Sequence, residues 1–244
     1  LEIEITFKTY NPVTLYIHYN SAIQGMIYRN LSGKNANFFH DNGYTYKKRF
    51  FKMFTFSRLL SRNYHFDSGS KKITFYDNFI LRITSPDKNF CNDLATNLLL
   101  ADEIELFDQL VFIENIIVRE PKVVGNSINV KTLSPVVCYS TLLKPDGGKY
   151  TCFFQPGERE FERQLDANLK KKYKAFYEKD PPKGYITVRN VKNLKQNIII
   201  YKDFVIKGYS CNFTMSGPQE LLQLAIDGGI IGKNSQGFGY ITKV

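Results

Sequence analysis

The sequence predicts an α+β protein made of two tandem ferredoxin-like (RRM-like) βαββαβ domains. Three observations carry that expectation. The order β-α-β-β-α-β can be read over residues 1–120, the same order returns approximately over 121–244, and 244 residues suit two units of about 120. No residue-level repeat links the halves, so the duplication rests on element order alone, with the boundary near 121.

Residues 1–7 alternate apolar and acidic side chains, the period of a strand. Asn20 stands where a helix cap belongs, ahead of an apolar face of Ile23, Met26, Ile27 and Leu31, and Gly33 punctuates that helix. A short helix then carries Phe38 and Phe39 into the core and leaves His40 near its end. Residues 50–57 read as a strand, with 72–83 as its hairpin partner after a turn at 67–70. A helix over 90–101, extended chain over 106–119 and a loop over 121–126 complete the first half. In the second, 127–139 and 150–154 read as strands. Phe161, Leu165, Leu169, Tyr173 and Phe176 define a long helix over 157–177, which Pro181 and Gly184 break. Strands follow at 185–188 and 197–207. A helix near 218–226 has Ser216 and Gln219 in capping-box spacing and Gly228 as its stop, and 237–244 close as a strand.

Composition excludes several classes. With 43% hydrophobic and 23% charged residues, the chain is not disordered. No apolar run approaches the ~18 residues of a membrane span, and no secretory signal pattern opens the sequence. Cys91, Cys138, Cys152 and Cys211 form no CxxC pair, and His18, His40 and His65 are scattered, so no zinc-ligand spacing is present. Lone cysteines in a basic chain read as reduced, in a cytoplasmic protein.

The net charge is +10, and its distribution says more. Two basic stretches flank an acidic one over 77–120. The densest patch, 42–66, holds Lys47, Lys48, Arg49, Lys52, Arg58 and Arg62 without an acid, interleaved with Tyr44, Tyr46, Phe50, Phe51, Phe54 and Phe56. Cations for phosphates and flat rings for bases suit single-stranded nucleic acid, although such rings also fill cores. The run Lys170, Lys171, Lys172, Lys174 is less informative. It ends a helix that opens with Glu158, Glu160 and Glu162, the polarity that the helix dipole favours.

The segment 227–244 is the most unusual, with Gly228, Gly229, Gly232, Gly237 and Gly239 close together. A Walker A loop fails here: the glycine spacing is short, Asn234 replaces Ser or Thr, and no helix can follow. Residues 236–241 echo an RRM aromatic strand, but on the wrong strand of that fold. A third reading is a glycine-rich loop between the last helix and last strand of a ferredoxin-like domain, its backbone close to RNA. A structural turn is the fourth.

With those residues in view, the sequence resembles the CRISPR-associated endoribonucleases that cut repeat RNA into guide units. Their C-terminal signature, G-h-G-x-x-x-x-x-G-h-G, is met by Gly229 and by Gly237-Phe238-Gly239, with Ile231 where a further glycine is expected and Gly232 one place late. The stretches beginning at Ile17 (IHYNSAIQGMIYRNL), Lys52 (KMFTFS) and Thr132 (TLSPVV) are also similar to the family. The resemblance spans essentially the whole chain. It implies two ferredoxin-like domains, no cofactor or metal, a repeat-RNA (pre-crRNA) substrate, and association with other CRISPR subunits or as a homodimer. It puts catalytic roles on Tyr28, His40 and Lys52, and RNA contacts on Lys47, Lys48, Arg49, Arg58, Arg62, Gly229, Gly232, Lys233, Asn234, Ser235, Gly237 and Gly239. A non-catalytic repeat-binding or scaffold subunit is the competing expectation.

The chemistry is coherent with those residue types. A ribose 2′-OH can attack its own phosphate if one group takes its proton, another protonates the departing 5′-oxygen, and a cation meets the phosphorane charge. Histidine titrates in the right range, and lysine supplies charge. Tyr28 and Gln24 lie off the apolar face of their helix and are not simply core.

Overall fold

The computed structural model describes residues 1–101, 103–106, 109–145, 147–201 and 204–244. Positions 107 and 108 of the expected extended stretch, and 202 and 203 of the strand expected over 197–207, lie outside the described residues. The helices are α1 (Asn20–Arg29), α2 (Gly33–Asn37), α3 (Lys88–Leu100), α4 (Arg159–Tyr177) and α5 (Gln219–Gly228). None is long and apolar enough to cross a membrane.

The first half is built on an antiparallel five-stranded sheet in the order Thr55–Phe56, Phe79–Thr84, Glu2–Lys8, Gln109–Arg119, Ile104–Leu106. The second has an antiparallel four-stranded sheet in the order Thr187–Tyr201, Phe204–Ser216, Ser127–Thr132, Ile241–Lys243. Apart from the edge strand Ile104–Leu106, both sheets place their second, third, first and fourth strands side by side. That is the ferredoxin arrangement, made twice. Alternation buries Ile3, Ile5 and Phe7 of the first strand with Ile23, Met26 and Ile27 of α1 and Phe90, Leu94 and Leu98 of α3. The second core joins Ile128 and Val130 to Phe161, Leu165 and Leu169 of α4 and Leu221, Leu222 and Ala225 of α5.

Several elements differ from expectation. Residues 50–57 are not one strand: Arg49–Phe51 pairs with Tyr44–Tyr46 as a hairpin, and only Thr55–Phe56 enters the main sheet. Between them Met53, its side chain buried, takes a left-handed φ of 52°. Nothing local in the sequence announces such a residue, and it breaks the period-two face that a single strand over 50–57 would give Lys52, Phe54 and Phe56. Residues 72–83 divide between sheets. Lys72–Phe75 joins Val13–Tyr16 and Tyr64–Asp67, while Phe79–Thr84 runs beside the first strand. Residues 127–139 split likewise, Cys138–Leu143 pairing with Lys149–Phe154. The strands expected at 185–188 and 197–207 are the two arms of one long hairpin, Thr187–Tyr201 and Phe204–Ser216. Only Ile241–Lys243 of the closing segment is strand.

Both expected caps are absent. Tyr19 precedes α1 without a side-chain cap, and Gly33 opens α2. Pro218 precedes α5, Ser216 Oγ lies 2.8 Å from Ser127 Oγ, and Gln219 donates to the Val123 carbonyl at 2.9 Å. The carboxylate of Asp87 caps α3 instead, accepting from the Asn89 and Phe90 N–H groups at 2.9 and 3.4 Å.

Candidate active site

Tyr28, His40 and Lys52 come from three elements and meet at one place. Tyr28 ends α1, His40 sits in a wide π-helical turn over Phe38–Asn42, and Lys52 follows the Arg49–Phe51 strand. The Tyr28 and His40 rings are edge to face, with centroids 5.5 Å apart. Lys52 Nζ donates to the His40 carbonyl at 2.7 Å, and the Tyr28 hydroxyl donates to the Phe39 carbonyl at 3.3 Å. Phe39 is buried against Phe90 and anchors the turn that presents His40. The imidazole itself is largely exposed, its Nδ1 2.8 Å from Asp41 Oδ1. With Nδ1–H on Asp41, Nε2 becomes the nitrogen that can exchange a proton with a ligand.

The glycine-rich loop reaches this cluster from the other half. The Asn20 amide, expected as a cap, donates to the Gln236 carbonyl at 2.8 Å, and Gln24 Nε2 donates to the Ser235 carbonyl at 2.7 Å. Ser235 also lies near enough to the Tyr28 phenol to oppose the upward shift of its pKa. The polar side of α1 is therefore the dock for the loop. Thr55 Oγ1 donates to the Phe238 carbonyl at 2.9 Å, and Phe238 and Tyr240 are fully buried.

The RNA-contact residues expected from the resemblance fall into three groups. Arg49, Lys52, Gly232, Lys233, Asn234 and Ser235 line one cleft between the halves, with the exposed Lys47 and Lys48 at its hairpin rim. Arg58 and Arg62 lie away from that cleft; Arg58 donates to Asn197 Oδ1 at 2.8 Å in a separate groove beside the long hairpin. Gly229, Gly237 and Gly239 are buried at positive φ. A Cβ on Gly237 would meet the Phe56 ring at 2.3 Å, and one on Gly239 would meet the Ile230 carbonyl oxygen at 2.2 Å. These three glycines serve close packing inside the protein. Asn234 is likewise engaged internally, its Nδ2 donating to the Ile230 and Phe238 carbonyls at 3.0 and 2.9 Å.

Electrostatics follow from burial. Burial pushes the Tyr28 phenol up to about 12, and it pulls Lys52 and Lys233 below the ordinary lysine range, Asp41 partly opposing this at Lys52. Sequence reasoning missed Lys172, a fully buried lysine of α4 on the same cleft. Its signal was its place three residues after Leu169, on the apolar face of the helix, hidden inside a lysine run. The arrangement offers an imidazole and a protonated phenol beside Lys52, which with Arg49 and Lys233 lines an open cleft: proton transfer and charge stabilisation for a polyanion.

Comparisons with known proteins follow the same division. Residues 14–117 match the family model for CRISPR-associated protein Cas6, N-terminal, and residues 118–243 match that for CRISPR associated protein Cas6, C-terminal. The chain is 26% identical over 247 residues to the CRISPR-associated endoribonuclease Cas6 1 of Methanocaldococcus jannaschii, covering 100% of this chain and 93% of the relative. It is 25% identical to the CRISPR-associated endoribonuclease Cas6 of Pyrococcus furiosus, covering 90% of this chain and 80% of the relative. A solved structure described as a Cas6-related gene product from Pyrococcus furiosus shares the fold, with a TM-score of 0.86 at 19% identity, over 100% of this chain and 98% of that one.

Proposed function

The chain belongs to the CRISPR-associated Cas6 family, and from that premise we propose that it is an endoribonuclease that processes CRISPR repeat RNA. Cleavage proceeds without metal, by attack of a ribose 2′-OH on the adjacent phosphate, giving a 2′,3′-cyclic phosphate and a 5′-OH. His40 moves a proton at Nε2. Tyr28 keeps its own proton and orients the reacting ribose through a hydrogen bond. Lys52 stabilises the phosphorane oxygens. Lys47, Lys48, Arg49, Lys233 and Ser235 hold the strand across the cleft. The catalytic residues belong to residues 1–120 and the glycine-rich loop to 121–244. The observation that carries this reading is the cluster of Tyr28, His40 and Lys52, which Lys52 joins to a cationic cleft between two halves of a Cas6-family fold.

The test is cleavage, in excess chelator, of CRISPR repeat RNA. Wild type should cut it, and His40→Ala should lose ~10²–10⁴-fold in rate while keeping most RNA affinity. A single 2′-deoxy nucleotide at the scissile position should abolish cutting. Cleavage of the deoxy substrate would overturn 2′-OH attack, and full activity in His40→Ala would overturn the assignment of His40. Tight binding by a wild type that never cuts would make the chain a repeat-binding subunit.

A further inference from the structure

A lysine taken wholly out of water with no carboxylate to meet it is unusual, because desolvating an ammonium is costly. Among the described residues Lys172 meets no carboxylate, and it is 2% exposed on the inward side of α4. Its Nζ donates to the carbonyls of Gly228 and Gly229 at 3.0 and 2.7 Å and to Asn234 Oδ1 at 2.6 Å. The two carbonyls end α5, where the helix dipole favours a cation. Capping does not account for the third partner. Asn234 ties the two ends of the glycine-rich loop together through Ile230 and Phe238, so one ammonium grips both the neck of the loop and its internal strut. Asn234 immediately precedes Ser235, whose carbonyl accepts from Gln24 on the same helix as Tyr28.

We propose that Lys172 is a positioning residue for the reaction, fixing from inside the second half where the loop presents Lys233 and Ser235 to Tyr28, His40 and Lys52. The catalytic part of this inference rests on the ribonuclease reading above; the control of the loop does not. The charged groups that line the cleft with Lys172 are Arg49 and Lys52 from the first half and Lys233 from the loop, all cations. Burial draws the Lys172 ammonium down to about 7. Its three acceptors oppose that shift, since an ammonium has three N–H groups to give and a neutral amine only two. The proton on Lys172 completes the grip.

The experiment compares wild type with Lys172→Met and Asn234→Ala, as full chains held well below their unfolding midpoints. Hydrogen exchange is read over residues 230–239. Affinity is read with the 2′-deoxy repeat RNA, and the single-turnover rate with the cleavable one at saturation. Lys172→Met should speed exchange in the loop but not in α3. It should also cut the rate ~10–100-fold, the cost of misplacing a reacting group by about 1 Å, with affinity within about threefold. Unchanged loop protection together with an unchanged rate would overturn the proposal. If Lys172→Met does not fold, Asn234→Ala, at a part-buried site, must show the same split, and wild-type behaviour there overturns it equally. If wild type does not cut, the ribonuclease reading fails, and the exchange arm alone decides whether Lys172 governs the loop.

Discussion

Tyr28 shows how much a single side chain's surroundings decide. Its hydroxyl is half-buried between the Phe39 carbonyl and Ser235, and its pKa lies near 12. A phenol shifted upward keeps its proton at every pH below that value, so near neutrality it donates a hydrogen bond and does not act as a base. Tyr28→Phe should therefore lower the cleavage rate about tenfold without moving the inflections of the rate profile between about pH 5 and 9. An inflection that vanishes with the hydroxyl would mean the phenol titrates in the reaction. Tyr28, with Gln24, was legible because both stand off an apolar helical face. Ile231 was less so: it occupies a place where the family signature expects glycine, and it takes a φ of 58° with its side chain buried. Its identity argues against the left-handed region, and the surrounding packing imposes it.

At the scale of elements, helices were read well and strands poorly, for a physical reason. The 3.6-residue faces of α1, α3, α4 and α5 persist for nearly three turns or more, whereas Thr55–Phe56 and Ile241–Lys243 owe their pairing to partners far away in sequence. Caps were misread because Asn20, Ser216 and Gln219 take hydrogen-bond partners across the fold instead of accepting from the N–H groups at a helix start. Asp87 makes the testable cap. It accepts from the start of α3 and also from the Tyr44 hydroxyl at 2.6 Å, tying the helix to the Tyr44–Phe51 hairpin that precedes Lys52. Asp87→Ala should cost about 0.5–2 kcal/mol in urea unfolding. It should also speed hydrogen exchange at residues 44–51, and an unchanged midpoint would show that the cap is not used.

For the molecule as a whole, the basic stretches noticed in the sequence are brought to one cleft although the hairpin at 44–51 and the loop at 229–239 lie far apart along the chain. The patch over 42–66 does not stay together: Phe54 and Phe56 become core, Arg58 turns to another groove, and Arg49 and Lys52 share a cleft with the loop while Lys47 and Lys48 stay exposed at the hairpin turn. Which rings would be buried was not readable from composition, since a core strand and a base-stacking strand use the same aromatic residues. RNA affinity should fall with salt through counterion release. Replacing Lys47 and Lys48 together by Ala should make the slope of log K against log salt shallower by about 1.5, in an anisotropy titration. An unaltered slope would remove both residues from the phosphate contacts.

The docking of the glycine-rich loop onto α1 also fixes when the protein can act. Gln24 meets Ser235, and Glu2 shares a hydrogen bond with Tyr240. A ribosome therefore delivers the imidazole and the phenol long before the segment that seats them against substrate. A nascent chain can carry every group that reacts and still be inert, and the cut proposed here becomes available only once synthesis has passed the loop.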